Sequence, residues 1–151
     1  MKYLLSSLLL IFLVACSKST PIPKKSNPES TYLSPKELQN LDFSQDEVIS
    51  VKIKEQFYYV RKDGKIISTL TYDGKADEFS DGLARTRTAG KVGFFNSNLE
   101  IVLKPIYDFA FPFHNGIAEI CMGCKEKNED GTSMLDGGKW KKINRKGLVI
   151  E

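Results

Sequence analysis

The sequence predicts an all-β protein, an antiparallel meander of hairpin repeats of about 35 residues, curled into a solenoid-like or half-barrel sheet, with one short N-terminal helix. Three observations predict it. A six-residue stretch, FSDGLA at 79–84, returns as FHNGIA at 113–118. Short aromatic and β-branched runs alternate with turns rich in Gly, Asp and Asn. After residue 41 no stretch keeps apolar residues at helical spacing.

The opening residues stand apart from that domain. MKYLLSSLLLIFLVACSKS places Lys2 before an uncharged run at 4–15, too short for the roughly 20 residues of a spanning helix. A positive start, a short apolar core and a small residue at the break describe a secretory signal over 1–15. The four residues LVAC, 13–16, resemble the lipobox of bacterial lipoproteins. The resemblance implies cleavage before Cys16, diacylation of its sulfur and acylation of the new amino terminus. The alternative is an ordinary secretory peptide cut near Ala15. Two or three acyl chains, at roughly 0.8 kcal/mol per buried methylene, hold a small domain on a membrane. Ser17 in the sorting position implies the outer membrane's periplasmic face or the cell surface rather than the inner membrane.

From Cys16 to residue 33 the chain is rich in Ser, Pro and Lys and nearly devoid of apolar residues, which predicts a flexible tether. Lys18, Lys24 and Lys25 either rest on anionic lipid or are simply solvated. The β domain then occupies 34–151. Its first element is a helix over 35–41: Ser34 and Glu37 have capping-box spacing and Pro35 suits the first helical position. VISVKI at 48–53 reads as a strand that closes one end with that helix. From 41 to 151 there are 17 basic and 17 acidic residues, and this neutrality argues against nucleic acid as a partner.

The repeat is visible by superposition. Residues 56–67, QFYYVRKDGKII, align with 91–102, KVGFFNSNLEIV, and a third copy, KWKKINRKGLVIE, begins at 139. Asp63-Gly64 between apolar runs predicts a hairpin turn, and the Gly of SDG and of HNG is expected at positive φ. The pattern resembles the WG-repeat (KWG) family over about two thirds of the chain. Lys139 and Trp140 supply the Lys-Trp; Gly93, Phe94, Asn96, Lys104, Pro105, Tyr107 and Asp108 follow the rest of the motif. Val92 stands where the motif has tryptophan, Lys141 where it has glycine, and Leu99 at the turn glycine. The resemblance implies β-rich modules with a binding or scaffolding role and no enzymatic activity or cofactor.

Four features invite a functional reading. CMGC brings Cys121 and Cys124 together across a tight turn. A local disulfide suits an exported chain. Reduced thiols, zinc and a redox pair are the alternatives, but zinc asks for four ligands and a thioredoxin-like pair for a βαβ context that the chain lacks. His114, the only histidine, falls in a polar turn slot, so neither a catalytic triad nor any other enzymatic arrangement is assembled. YDFAFPF, 107–113, has an aromatic at every second position, which on an extended strand places all four on one face. Phe109 and Phe111 have no aromatic counterpart in the preceding copy, YDGKADEF. Finally, the third hairpin carries a charged, glycine-rich insertion at 125–138, read as a long loop, with Lys125, Glu129 and Asp130 as polar contact residues. Phe109, Phe111 and this insertion are the expected binding residues.

These readings converge on a lipid-anchored envelope protein that binds a protein partner. A small-ligand or glycan binder at the aromatic stripe, and an immunity protein against a toxin, are the alternatives. If Cys16 carries lipid, palmitate labelling marks the wild-type chain and not Cys16→Ser, which also fails to mature; equal membrane retention without label rejects the anchor.

Overall fold

The structure, a computed structural model, describes residues 31–129 and 132–150. The signal segment, Cys16 and nearly all of the tether lie outside them, as do Asp130 and the side chain of Glu129. Strand β1 is Thr31–Tyr32 and helix α1 is Pro35–Leu38. The remaining strands are β2 Val48–Ile53, β3 Gln56–Arg61, β4 Lys65–Ser68, β5 Thr71–Tyr72, β6 Lys75–Ala76, β7 Leu83–Thr88, β8 Lys91–Asn96, β9 Ile101–Tyr107, β10 Phe109–Ala110, β11 Ile117–Glu129 and β12 Thr132–Asn144. The capping box forms as the spacing predicts. The Glu37 N–H donates to the Ser34 hydroxyl and the Glu37 carboxylate accepts from the Ser34 N–H.

The strands make four antiparallel sheets rather than one curled sheet: β1-β4-β3-β2, β5-β6, β7-β8-β9 and β10-β11-β12. The reason lies in β8. Phe94 and Phe95 are neighbours, so they point to opposite faces, and both are 0% exposed. A single sheet leaves one of those faces in water, so sheets must stack on both. Phe94 packs with Leu83, Leu103, Phe113, Ile120 and Ile143, between the second and third copies. Phe95 packs with Ala84, Leu99, Tyr59, Ile67 and Phe79, between the first and second. The middle copy is therefore a layer with a core on either side.

The copies share their turns in detail. Ser80 and Leu83 exchange both backbone hydrogen bonds, as do His114 and Ile117. Asp81 and Gly82 take φ of 50° and 76°, and Asn115 and Gly116 take 52° and 80°, the paired left-handed conformations of a tight hairpin turn. One turn also holds the next: the Asp81 carboxylate accepts from the Gly116 N–H at 2.7 Å, and the Ser80 hydroxyl donates to the Phe113 carbonyl at 2.5 Å. In the second copy the Asn96 side-chain oxygen accepts from the N–H groups of Asn98 and Glu100. Asn144 does the same for Lys146 and Leu148 in the third. Leu99, at the turn-glycine position, adopts φ 57° and is 1% exposed, so burial in the core offsets the backbone strain of a side chain there.

Between the sheets lies a buried ion pair. Arg85 on β7 and Asp77 just after β6 are 5% and 2% exposed. Arg85 Nε and Nη2 donate to the two Asp77 carboxylate oxygens at 3.0 and 2.5 Å, and the Arg85 backbone N–H donates to the same carboxylate at 2.9 Å. Arg85 Nη1 donates to the Ala110 carbonyl on β10, and the Thr69 hydroxyl donates to the Arg85 carbonyl.

The insertion at 125–138 is not a loop. It lengthens β11 and β12 to 13 residues each, paired in register nearly to the tip. The ladder breaks once: Met122 pairs with Lys139 and Cys124 with Gly137, leaving Gly123 and Gly138 between. Both take positive φ, 83° and 75°. Cys121 and Cys124 form a disulfide across this break. It sits on Gly138, where a Cβ would lie 2.5 Å from Cys121 Sγ and 2.6 Å from the Cys124 nitrogen. The Gly123 N–H is held by the Asp108 carboxylate, which also pairs with Lys91.

Three outcomes follow for stability in urea. Asp77→Ala strands a buried guanidinium and lowers stability by about 3–5 kcal/mol, whereas Asp77→Leu with Arg85→Met recovers most of it; equal loss in both variants rejects the explanation. Cys121→Ser costs about 1–2 kcal/mol, since so small a ring constrains the unfolded chain little. Gly138→Ala destabilises more than Gly90→Ala, which shares a positive φ but has open space around it. Equal effects at the two glycines mean that the disulfide contact imposes nothing.

Candidate binding face

The site is built on the outer face of the sheet β10-β11-β12. Phe109, Cys121 and Trp140 are cross-strand neighbours, Phe109 opposite Cys121 and Cys121 opposite Trp140. Side chains opposite one another share a face, so the two rings flank the buried disulfide. The Phe111 N–H donates to the Glu119 carbonyl at 2.9 Å, which carries the alternation one step further and brings a third ring alongside. Ring centroids are 5.1 Å apart for Phe109–Phe111, 6.1 Å for Phe109–Trp140 and 5.9 Å for Phe111–Trp140. The last pair lies within 29° of parallel. Phe111 and Trp140 are 45% and 44% exposed.

A groove runs on either side of the two phenylalanines. One, of about 500 Å³, has Gln56, Tyr72, Arg87 and Pro112 along it. The other, of about 440 Å³, reaches Trp140 and is closed by Met134 and Leu135. Phe109, Phe111 and Glu126 line both. Glu126, Met134 and Leu135 lie beyond the Gly123–Gly138 break, so the outer half of the hairpin bends back to wall the aromatic face. The stapled break is what turns it there. The Lys91 ammonium and the Gly123 N–H hold the Asp108 carboxyl below the usual carboxylate range. A depressed value means that the hold on Gly123 is present at neutral pH and is lost as pH falls through that value.

The outer face has a counterpart inside the stack. Val92, Phe94 and Phe95 of the second copy align with Trp140, Lys142 and Ile143 of the third. Phe95 faces the copy before it; so does Ile143, which is 1% exposed. Val92 and Phe94 face the copy after it and are 0% exposed. Trp140 holds the position of Val92, and no described sheet covers it. The candidate face is thus a stacking surface on the outer side of the sheet β10-β11-β12, with its aromatic residue kept.

The predicted residues divide accordingly. Phe109 and Phe111 come together at the site. Tyr107 and Phe113 do not: both are buried in the core, so the four-ring stripe does not share one face. The chain bends at Asp108, between β9 and β10, which separates Tyr107, and β10 ends at Ala110, so Phe113 lies beyond the strand. Lys125 is exposed opposite Asp136 and lines neither groove. Glu129 and Asp130 fall outside the described side chains. His114 is exposed in its turn, as expected. Cys121 and Cys124 are bonded. Sequence reading missed Arg87, held Glu126, Met134 and Leu135 only as unnamed members of the insertion, and took Trp140 only as a repeat position. Its signal was present in the alignment: a tryptophan between lysines, in the slot of a buried valine.

Comparison with curated proteins and with solved structures returns no match to the chain. Residues 59–91 and 93–125 each match the family model of the WG containing repeat; Phe109 and Phe111 lie within the second match, and Trp140 lies in the partial copy that follows it.

Proposed function

We propose that this chain is an envelope lipoprotein, tethered through Cys16 at the outer membrane's periplasmic face or the cell surface, whose WG-repeat domain acts as a protein-interaction or scaffolding module. It carries out no catalysis and needs no cofactor. One observation carries the reading: Trp140 stands exposed where Val92 of the preceding copy is buried by the next sheet. A repeat face left uncovered needs a polar surface. Lys142 in place of Phe94 meets that need, while Trp140, Phe111 and Phe109 do not. Aromatic residues of this kind dominate interface hot spots. The partner docks on the surface that a further repeat would cover.

A second reading has its own support. The near-parallel Phe111 and Trp140 rings, with Gln56, Arg87 and Glu126 along the grooves, also suit a sugar ring stacked on an aromatic face.

Replacing 125–138 by TAG, the shorter connection of the preceding copy, leaves the paired inner halves of β11 and β12 in place and removes the wall of the second groove. The variant stays folded by circular dichroism and thermal melting, because a shorter connection costs less closure entropy. It fails to recover the partner in crosslinked pulldown. Trp140→Ala weakens the purified complex by about 30-fold or more, the hot-spot scale. A folded, shortened chain that recovers the same partner rejects the site. Saturable quenching of Trp140 fluorescence by oligosaccharides, with no protein recovered, favours the second reading.

A further inference from the structure

We infer that the outer edge of β12, with the turn and tail that follow it, is a contact surface for an anionic lipid bilayer. The charge distribution points there first. Between 41 and 151 basic and acidic residues balance at 17 each. Five of the basic ones, Lys139, Lys141, Lys142, Arg145 and Lys146, fall within eight consecutive positions that contain no acidic residue. The rest of the domain therefore holds twelve basic residues against 17 acidic. The domain is neutral in sum and strongly polar in arrangement, with one positive edge and a negative remainder.

The structure makes that run a continuous edge. β12 is the outermost strand of its sheet. The tail returns along it: Val149 bridges to Ile143, and the Ile150 N–H donates to the Lys142 carbonyl at 2.9 Å. Lys139, Lys141, Arg145 and Lys146 are exposed. Long side chains on an edge strand reach past it from either face. Among them stand exposed apolar groups, Trp140, Leu148, Val149 and Ile150. Acidic residues also border this edge: Glu119 is opposite Lys142 in the ladder, Asp136 stands three positions before Lys139 on β12, Arg145 reaches Gly82 beside Asp81, and Glu151 is next in sequence.

Cations interleaved with apolar side chains are what a bilayer surface selects: the charges meet anionic headgroups and the apolar groups enter the interfacial layer. A soluble polyanion satisfies only the charges. The negative remainder is repelled from the same surface, so the field also orients the domain, edge down. This contact shares Trp140 with the aromatic face and leaves Phe109, on β10 at the opposite edge of the sheet, and Phe111 open. The inference does not rest on lipidation of Cys16 or on the identity of a partner.

The test uses the unacylated chain from residue 17, which retains every described residue, and vesicles of phosphatidylcholine with or without phosphatidylglycerol. Trp140, the only tryptophan, reports from within the edge. Wild-type protein floats with the phosphatidylglycerol vesicles and not with pure phosphatidylcholine. Its emission moves to shorter wavelength on binding, and added salt reverses both effects. The edge variant, Lys139→Gln with Lys141→Gln, Arg145→Gln and Lys146→Gln, binds at least about tenfold more weakly, while its circular dichroism and vesicle-free emission stay those of wild type. The tether variant, Lys18→Gln with Lys24→Gln and Lys25→Gln, retains most of the binding. The inference is overturned if wild type ignores phosphatidylglycerol, if the tether variant loses binding while the edge variant keeps it, or if soluble polyphosphate shifts Trp140 emission and vesicles do not.

Discussion

The arrangement of the domain turns on one buried ion pair. Arg85 and Asp77 are almost completely removed from water, and a guanidinium taken from water without partners costs several kcal/mol. Here its nitrogens find both carboxylate oxygens of Asp77 and the carbonyl of Ala110. Those three anchors belong to different parts of the stack: Asp77 directly follows sheet β5-β6, Arg85 sits on the first strand of β7-β8-β9, and Ala110 lies on β10 of the next sheet. A charged fork of fixed geometry tolerates little sliding between the sheets that hold it. An apolar trio in the same place would accept several registers. Ala110 is flanked in sequence by Phe109 and Phe111, so the pair also fixes where the aromatic residues leave the core.

Around that pin the stack follows from two-faced strands. A strand whose alternate residues are apolar on both faces belongs inside a layered structure, and β8 with Phe94 and Phe95 is such a strand. β3 has Val60 fully buried on one face and Tyr59 in the inter-copy core on the other. β12 keeps Ile143 on the inward face and offers Trp140 and Lys142 outward. The gradient from β8 to β12, Phe94 to Lys142 and Val92 to Trp140, is the change from an internal layer to a terminal one, incomplete at a single aromatic position.

Much of this was legible because it is local. The doubled FSDGLA/FHNGIA stretch fixes two turns whose backbone bonds coincide, and the Ser34–Glu37 spacing fixes a cap. Such features depend on residues within four positions of one another. What escaped depends on distance. Arg85 reads in sequence as one polar residue in the alternating run LARTRT, and nothing local marks its partner eight residues back as buried. YDFAFPF reads as one strand, but the chain bends at Asp108, whose carboxylate is held by Lys91 and Gly123. The insertion reads as a charged loop because Met134 and Leu135 are its only large apolar residues. An antiparallel ribbon projecting from the core needs no apolar face to keep its ladder, only a good register and cross-strand partners such as Lys127 and Asp136 at 2.6 Å.

That last point explains why the site has the form it does. A ribbon of 13-residue strands extended straight from the stack would stand in solvent, with no means of meeting the terminal face. Bending it requires a break in the ladder. Two glycines at positive φ supply the break, but glycines alone would leave the outer half free to swing. The disulfide spans the break on one strand, Gly138 admits its sulfurs from the other, and Asp108 holds Gly123 from beneath. The bend thereby has a fixed direction, and that direction carries Glu126, Met134 and Leu135 over Phe109 and Phe111. Conserving the core of a repeat while altering its outermost hairpin in this way converts a surface made for stacking into a walled groove, without disturbing any contact on which the stack depends.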